Sequence, residues 1–374
     1  MSDIASSKAQ HPTPWPQAGV GTARSRTFVW LTVVSVLVIA AFFATSVLVG
    51  RFNTLSVADL IGLIFDYDNA EPLDQVSWNR RFPRVAVAVI AGASMGAAGA
   101  LIQAVVRNPL ASPGILGFSQ GAVAAVVMFA TLVPEVTFGA LWFIRPGLAT
   151  LGGLLAAAIV YSVSRSVGSV ESERLILIGI VVGGIFSSVT TCSLIFADQR
   201  DVSELLRWLT GSLDGRSWSD LGLISGTILL TLPLVILSIG RANAIQLGDE
   251  IAVGLGQRRE LDRVIVLIAV VALSGAAVAI NGTLGFIGLL GPHIVRRFVG
   301  NDTRRLVPAA ALAGAAILVS ADTAARLIDL QYALEFLGLE GRDLGALPVG
   351  IYLNLIGLPF LIYLIRKNKR KGHK

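Results

Sequence analysis

Long uninterrupted runs of apolar residues constrain this chain more than any other feature of its sequence. The runs are about 20 residues long, the length of helix that crosses the hydrocarbon core of a bilayer. Lipid offers the backbone no hydrogen-bond partner, so only helices and closed barrels can span it. A barrel would show short segments of alternating polarity, a pattern that this sequence lacks. The sequence therefore predicts an all-α integral membrane protein.

Composition and charge agree with this prediction. Hydrophobic residues make up 54% of the chain and charged residues only 14%, against about 25% charged residues in a typical soluble domain. The single Cys192 excludes a disulfide within the chain, and no Cys/His cluster suggests a metal site. The net charge of +6 does not indicate nucleic acid, because four of the five lysines follow an apolar run in the last eight residues. A basic cluster in that place is typical of a topology signal.

Hydropathy divides the chain into three parts. Residues 1–27 are polar and proline-containing and are predicted to be a disordered cytoplasmic N-terminus. Residues 28–366 are predicted to form a transmembrane domain of ten helices, whose first apolar run is a retained helix rather than a signal peptide. Residues 367–374 are predicted to be a basic cytoplasmic tail. The ten predicted spans cover residues 28–49, 83–105, 116–133, 141–163, 174–196, 219–240, 263–281, 284–299, 306–328 and 347–365.

The distribution of basic residues predicts the orientation. An even number of spans places both termini on one side, and the basic residues that flank the first and last spans assign that side to the cytoplasm. The predicted inner loops at residues 241–263 and 296–305 each carry four arginines. Predicted external loops contain arginine as well, for example Arg80 and Arg81. Because these arginines oppose the charge bias, we expect them to have an anionic partner.

A five-residue pattern occurs twice. Gly-Ile-Leu-Gly-Phe at residues 114–118 recurs as Gly-Thr-Leu-Gly-Phe at residues 282–286. The first copy opens the third predicted span from the inside, and the second opens the eighth from the outside. Copies in opposite orientation are typical of the inverted repeats of transporters. The pattern predicts such a repeat, although a match this short in a glycine-rich chain also arises by chance.

Several motifs follow one another along most of the chain after residue 80. They are Arg-Phe-Pro-Arg at 81–84, Arg-Asn-Pro-Leu-Ala-Ser-Pro-Gly-Ile-Leu-Gly at 107–117, Trp-Leu-Thr-Gly-Ser-Leu at 208–213, Leu-Gly-Asp-Glu at 247–250, Gly-Phe-Ile-Gly-Leu at 285–289, Pro292 with His293, Asp322 with Arg326, Leu-Pro-Val-Gly at 347–350 and Gly-Leu-Pro-Phe at 357–360. As an ordered set they resemble the iron–siderophore and cobalamin permease family of ABC importers. The chain departs from that family's pattern at Ala346, where Glu is common, and in segment 329–346, which is longer than usual.

The resemblance implies a fold and a set of partners. The expected fold is that of a type II ABC importer permease, with ten transmembrane helices in each subunit. The expected partners are a second permease subunit, identical or paralogous, two cytoplasmic ATPases and an extracytoplasmic binding protein. This chain would hold no cofactor, because ATP and Mg²⁺ belong to the ATPases. The expected location is the cytoplasmic membrane, and the expected cargo is an iron–siderophore, with haem or cobalamin as alternatives.

Segment 245–256 is predicted to be a short helix on the inner side. Leu247, Ile251 and Leu255 recur every four residues and form an apolar stripe. A helix too short to span the membrane either docks such a stripe in a partner's groove or lies on lipid headgroups. The resemblance implies the first role, that of a coupling helix on the ATPase. Its candidate contact residues are Leu247, Gly248, Asp249, Glu250, Ile251, Leu255 and Gly256.

Three arginines are candidates for docking the binding protein. The resemblance assigns this role to Arg81, Arg84 and Arg326, which lie at the predicted outer ends of spans 2 and 9. The planar guanidinium group binds carboxylates through paired hydrogen bonds, as docking onto glutamates requires. Arg326 has an alternative partner in Asp322, which lies one helical turn away.

The fifth predicted span is the candidate wall of the transport pathway. It carries no charge between Ile176 and Phe196, and its small, weakly polar residues suit large chelates. Packing against neighbouring helices is the alternative. The candidate pathway residues are Gly183, Gly184, Ser187, Ser188 and Thr191. Ser172 and Glu173 precede the span where the family has a cytoplasmic gate, and for His293 we expect a structural hydrogen-bonding role.

Three other functional classes fit the sequence less well. A pump with its own ATPase site would need a phosphate-binding loop, and the chain contains no Gly-Lys dipeptide. An intramembrane enzyme would need paired catalytic groups, and no second carboxylate accompanies Asp322 in the centre of another span. A secondary transporter would use carboxylates within its spans for ion coupling. We therefore expect a non-catalytic subunit whose transport is driven by a separate ATPase.

Overall fold

The computed structural model describes residues 20–49, 55–133, 138–166, 172–247, 259–327 and 348–371. Within these ranges the regular secondary structure is helical, without β-strands. Two short 3₁₀ segments, Tyr67–Asn69 and Phe138–Phe143, accompany the α-helices. The α-helices are α1 Val20–Leu48, α2 Val57–Phe65, α3 Pro72–Val106, α4 Phe118–Leu132, α5 Arg145–Ser166, α6 Ser172–Phe196, α7 Gln199–Leu209, α8 Trp218–Gln246, α9 Arg259–Asn281, α10 Ile287–Val299, α11 Thr303–Leu327 and α12 Val349–Lys371.

Seven helices of the described residues are long and apolar enough to cross a membrane. They are α1, α3, α5, α6, α8, α9 and α11. The other predicted spans coincide with α4, α10 and α12, of which α4 has 15 residues and α10 has 13. Both are shorter than the roughly 20 residues of a full perpendicular crossing. The all-helical, multi-span architecture is thus confirmed, and the count of ten spans stays a prediction.

Several helices extend beyond the predicted spans. The first begins at Val20, within the segment predicted to be disordered, and the last continues to Lys371, within the predicted tail. Hydropathy marks the part of a helix that lies in lipid, whereas Ala, Arg and Lys also favour helix in water. The predicted span boundaries therefore mark the apolar part of each helix and not the residues at which the helix begins and ends. Segment 329–346 lies outside the described residues.

Helix α3 contains an uncharged stretch whose length matches the thickness of a bilayer core. Arg84 and Arg107 bracket 22 residues that carry no charge. At the helical rise this stretch is about 33 Å long, which matches a hydrocarbon core of about 30 Å. We name the two ends of the helix bundle after these residues, the Arg84 end and the Arg107 end.

Helices α3, α9 and α11 form the centre of the bundle. In their most apolar windows 78%, 83% and 67% of the residues are buried, whereas the corresponding values are 11% for α1, 17% for α8 and 28% for α6. The outer helices are equally apolar, so their exposed surface suits lipid or another membrane subunit. The centre is held by packing within this chain.

Glycines allow the central helices to approach each other closely. A Cβ atom on Gly92 of α3 would lie 2.9 Å from Cα of Ala315 in α11, and one on Gly99 would lie 2.7 Å from Cα of Gly288 in α10. Both distances are too short for a real side chain, so backbone meets backbone there. Small residues at such crossings are the usual means of helix association in lipid, where no hydrophobic force drives it.

The repeated five-residue pattern turns at different positions in its two copies. Gly117 and Phe286 have positive φ angles of 79° and 61°, and each immediately precedes a short helix, α4 and α10 respectively. The first turn packs on α6 at Gly179 and Gly183, and the second contacts α12 at Asn354. Gly117 is the fourth residue of its copy and Phe286 the fifth of the other, and Gly282 has a positive φ of 72° whereas the equivalent Gly114 does not. The two turns correspond only in part, and the inverted repeat stays a prediction.

Candidate functional site

An ion-pair cluster lies at the Arg84 end of the bundle. Arg84 of α3 donates to Asp322 of α11 from Nε, 3.2 Å from both carboxylate oxygens, and from a terminal nitrogen at 2.7 Å. Its other terminal nitrogen donates to Asp214, in the loop before α8, at 2.9 Å. The Asp322 side chain is 1% exposed and that of Arg84 16%, whereas Asp214 is largely open. Buried charges require such paired, multiply hydrogen-bonded geometry.

Arg326 and Arg81 extend the cluster to the end of α1. Arg326 contacts Asp322 at 3.4 Å, one turn away on α11, and donates to the hydroxyl and carbonyl of Ser46. Arg81 donates to the carbonyls of Val47 and Leu48 at 3.1 and 3.3 Å. These carbonyls belong to the last turn of α1, which has no intrahelical donors for them and carries a partial negative charge. The two arginines therefore cap α1.

Arg216 caps the C-terminal end of α9 in the same way. One of its terminal nitrogens donates to the carbonyl of Ile280, in the last turn of α9, at 2.6 Å. Burial lowers the pKa of this guanidinium, and the carboxylates of Asp220 and Asp214 oppose the shift. The group remains a cation because arginine stays protonated throughout the accessible pH range.

The structure thus gives the three predicted docking arginines intrachain partners. It contains the alternative pair of Arg326 with Asp322, and it joins Arg84 to the same carboxylate. The neighbouring Arg80 differs, since it is an exposed residue of α3. Docking by Arg81, Arg84 and Arg326 stays a prediction. A partner glutamate would have to compete with helix carbonyls and with Asp322.

An aromatic group lies beside this cluster. Phe82 stacks on Trp218 with ring centroids 5.1 Å apart and packs on Trp78 at 4.5 Å. The indole of Trp218 donates to Asn79 at 2.9 Å, which joins the start of α8 to α3. Aromatic rings with a polar edge are typical of the membrane–water interface. The group therefore indicates that the interface lies near the Arg84 end.

Helix α6 presents two different faces. Gly184, Ser187, Ser188 and Thr191 lie on its exposed face. Gly183 is the exception among the predicted pathway residues. It is buried against Gly117, because two glycine backbones can approach where a side chain could not.

The hydroxyl groups of the exposed α6 face bond mainly to their own helix. Ser188 donates to the carbonyl of Gly184 and Thr191 to that of Ser187, both at 3.1 Å. The same helix also exposes Ile180, Val181 and Ile185, which are 56%, 63% and 58% exposed, so its exposed surface is mainly apolar with a few weakly polar groups. A role of this face in the transport pathway stays a prediction.

Asn354 is a residue that sequence reasoning missed. It is an exposed amide in the apolar helix α12, and its side chain contacts the turn at Gly285. A lone polar residue in an apolar run is a functional candidate by default, so the sequence did hold a signal. His293 of α10 packs edge-to-face on Phe360 of α12, with ring centroids 5.7 Å apart, and its expected hydrogen-bonding role stays a prediction.

The Arg107 end carries the remaining predicted sites. Glu173 is exposed in the first turn of α6, where Ser172 begins the helix. Of segment 245–256, the structure describes Ile245, Gln246 and Leu247. Leu247 is 57% exposed at the end of α8. The other predicted coupling residues, Gly248, Asp249, Glu250, Ile251, Leu255 and Gly256, lie outside the described residues.

Helix α8 is firmly attached at this end. Arg241 bonds to Asp262 of α9 at 2.7 Å, and the side-chain oxygen of Asn243 accepts from the backbone of Thr303 in α11 at 3.2 Å. Arg107, in the loop after α3, donates from Nε to the carbonyl of Ile245 at 2.8 Å. A force on the end of α8 would therefore reach α3, α9 and α11.

In the described part of the chain, no three His, Cys, Asp or Glu residues come together as metal ligands.

Comparison with known proteins agrees with this architecture. A model of the FecCD transport family matches residues 36–367. The Fe(3+)-citrate import system permease protein YfmE of Bacillus subtilis (strain 168) is 37% identical over 291 residues, which are 78% of this chain and 82% of that protein. The hemin transport system permease protein HmuU of Yersinia pestis is 35% identical over 298 residues, 78% of this chain and 84% of that protein.

A solved structure shares the fold. It is described as a metal-chelate type ABC transporter in an inward-facing conformation, and it superposes with a TM-score of 0.72 at 26% identity. The superposition covers 92% of this chain and 99% of that one. Since the family model covers 332 of the 374 residues, this chain belongs to the FecCD transport family.

Proposed function

We propose that this chain is the membrane-spanning permease subunit of an ABC importer that carries a ferric chelate across the cytoplasmic membrane. The observation that carries the proposal is the family match over residues 36–367. Relatives named as ferric citrate, ferric hydroxamate and achromobactin permeases support the cargo class. An iron–siderophore is the first candidate. Haem is the second, because the related hemin permease has a similar degree of identity.

The proposal includes a topology and a set of partners. All ten predicted spans cross the membrane, both termini face the cytoplasm, and the Arg107 end is the cytoplasmic end. A second permease subunit, identical or paralogous, faces the exposed side of α6. Two ATPases bind at the Arg107 end and hydrolyse ATP with Mg²⁺, and a binding protein delivers cargo at the Arg84 end. This chain supplies the passage and no catalytic group.

Transport then follows from alternating access. ATP binding closes the ATPase dimer and moves the chain beyond α8, which favours one of two arrangements of the bundle. Cargo passes along Gly184, Ser187, Ser188 and Thr191, and Ser172 and Glu173 control the inner mouth. The absence of charge on that face suits chelates of different structure, so selectivity belongs mainly to the binding protein.

Cargo and energy source are tested together in proteoliposomes. The purified permease is reconstituted with its ATPase and binding protein, and uptake of ⁵⁵Fe-labelled siderophore, ferric citrate and haem is measured. We expect uptake of one ferric chelate only when ATP and the ATPase are present. Uptake that depends on a proton or sodium gradient and not on the ATPase would instead identify a secondary transporter.

The docking sites have separate tests. Aspartate at both Leu247 and Leu255 should abolish ATP-driven import while the permease remains folded, because charge destroys an apolar contact surface. Full import by this double variant would exclude segment 245–256 as the coupling helix.

At the other end, Arg81→Ala and Arg326→Ala should slow association of the binding protein and reduce its salt dependence. If the association rate and its salt dependence are unchanged for permease in nanodiscs, these arginines cap α1 and do not dock the binding protein.

A further inference from the structure

Arg107 lies in an unusual backbone conformation at the end of α3. Its φ and ψ angles of 51° and 30° are left-handed, which few residues other than glycine and asparagine adopt readily. In this conformation Nε lies 2.8 Å from the carbonyl oxygen of Ile245, 138 residues further along the chain. Ile245 belongs to the last turn of α8, whose carbonyls need external donors and favour a cation. The hydrogen bond to α8 thus offsets a strained backbone.

The loop that follows Arg107 is stiff. Pro109 and Pro113 fix two φ angles. The side-chain oxygen of Asn108 accepts from the amide of Leu110 at 2.8 Å, and the carbonyl of Pro113 accepts from the amide of Phe118 at 3.1 Å. These bonds join the two ends of the loop to its middle. A displacement of Arg107 is therefore passed along the loop instead of being absorbed within it.

The far end of the loop lies directly on α6. A Cβ on Gly179 would be 2.8 Å from Cα of Leu116, and one on Gly117 would be 3.0 Å from the backbone nitrogen of Gly183. Backbone therefore rests on backbone, without an intervening side chain that could change rotamer and take up a movement. Close-packed contacts of this kind transmit displacement because they cannot be compressed.

We propose that residues 107–117 form a rigid strut that transmits movement from the end of α8 to α6, with Arg107 as the positioning residue that fastens it. The inference rests on the proposed function, in which the chain beyond α8 contacts the ATPase and the exposed face of α6 borders the cargo. It adds a physical connection between the two and a residue that controls it. Arg107 acts through α8 and does not contact cargo.

The native cysteine provides the test. Cys192 is the only cysteine in the chain and is exposed on α6. Its rate of maleimide labelling is measured in the assembled transporter in nanodiscs, free and after trapping with ADP and vanadate. The variants are Arg107→Asn and Arg107→Gly, since both replacement residues accept the left-handed backbone and both lack the guanidinium. Arg304→Asn removes an exposed arginine at the same end of the bundle and serves as the control.

We expect trapping to change the labelling rate in the wild type and in Arg304→Asn. In both Arg107 variants that change should be lost and import should fall, while ATP hydrolysis continues. A wild-type rate that does not respond to trapping, or Arg107 variants that respond as the wild type does, would overturn the strut. Failure of both variants to fold would also overturn it, since Arg107 would then only maintain the structure. A wild type without ATP-driven import would instead overturn the proposed function.

Discussion

At the scale of single residues, arginines at helix ends explain an apparent conflict in the charge distribution. Arg81 and Arg326 cap α1, Arg216 caps α9, and Arg107 donates to the last turn of α8. Each guanidinium lies at the negative end of a helix dipole and binds carbonyls that have no donor within the helix. Of the arginines predicted to be external, Arg81 and Arg216 thus bind helix carbonyls within the chain, and for the exposed Arg80 an anionic partner stays a prediction.

Arg84 provides the first prediction. Its removal would leave the buried Asp322 with Arg326 alone, and breaking a buried pair costs about 3–5 kcal/mol. We expect Arg84→Ala to lower the thermal unfolding midpoint of the detergent-solubilised permease clearly. Arg80→Ala, which alters an exposed residue one turn earlier, should leave the midpoint unchanged. Equal midpoints for the two variants would show that the Arg84 pair contributes little to the fold.

At the scale of helices, α3 depends on close approach to its neighbours. A Cβ on Gly92 would overlap the backbone of α11, whereas one on Gly226 of α8 would meet nothing within 4 Å. Overpacking costs about 1–3 kcal/mol, and replacing a helical glycine by alanine otherwise stabilises by roughly 1 kcal/mol. We expect Gly92→Ala to lower the unfolding midpoint and Gly226→Ala to keep or raise it. A neutral Gly92→Ala would mean that α11 moves aside easily.

Helix α6 leads to the third prediction, on its two faces. Ser188 and Thr191 are exposed, whereas Val182 and Thr190 are 5% and 8% exposed. In a Cys192→Ser background, cysteines at the first two positions should react with a hydrophilic maleimide in the assembled transporter. Cysteines at the other two should not react. If all four positions are protected, α6 lies against lipid or a subunit along its whole length and does not border the pathway.

At the scale of the whole molecule, the Arg84 and Arg107 ends differ in what they contain. The Arg84 end holds the buried ion pairs and the stacked aromatic rings, and the Arg107 end holds the attachments of α8. The distance between them matches the thickness of a bilayer. Ion pairs and stacked rings thus hold the helices together at the Arg84 end, and hydrogen bonds and an ion pair hold α8 to its neighbours at the Arg107 end.

Labelling from one side of the membrane tests the orientation. In a Cys192→Ser background, Arg80→Cys and Leu247→Cys place single reactive thiols at exposed positions of opposite ends. A membrane-impermeant maleimide added to intact spheroplasts should label the first and not the second, and permeabilisation should expose both. Labelling of Leu247→Cys in intact spheroplasts would show that the Arg107 end faces outward, opposite to the proposed topology.

Much of this molecule could be predicted from local sequence patterns. The apolar runs predicted the positions of the helices because lipid imposes helix on any segment that crosses it. The ordered motifs also indicated the family that the comparisons show. The small, uncharged residues of α6 are also visible as a group without knowledge of the fold, whereas their role in the pathway stays a prediction.

Which groups meet was decided only by tertiary structure. Arg84 and Asp322 are 238 residues apart, and Arg107 and Ile245 are 138 apart. Gly183 faces Gly117 although its neighbour Gly184 is exposed. Hydropathy and periodicity describe how each segment meets its surroundings and do not say which other segment it packs against. Which helices contact each other depends instead on how closely their backbones can pack. That depends on the surfaces of both helices, so the sequence of one segment alone does not determine it.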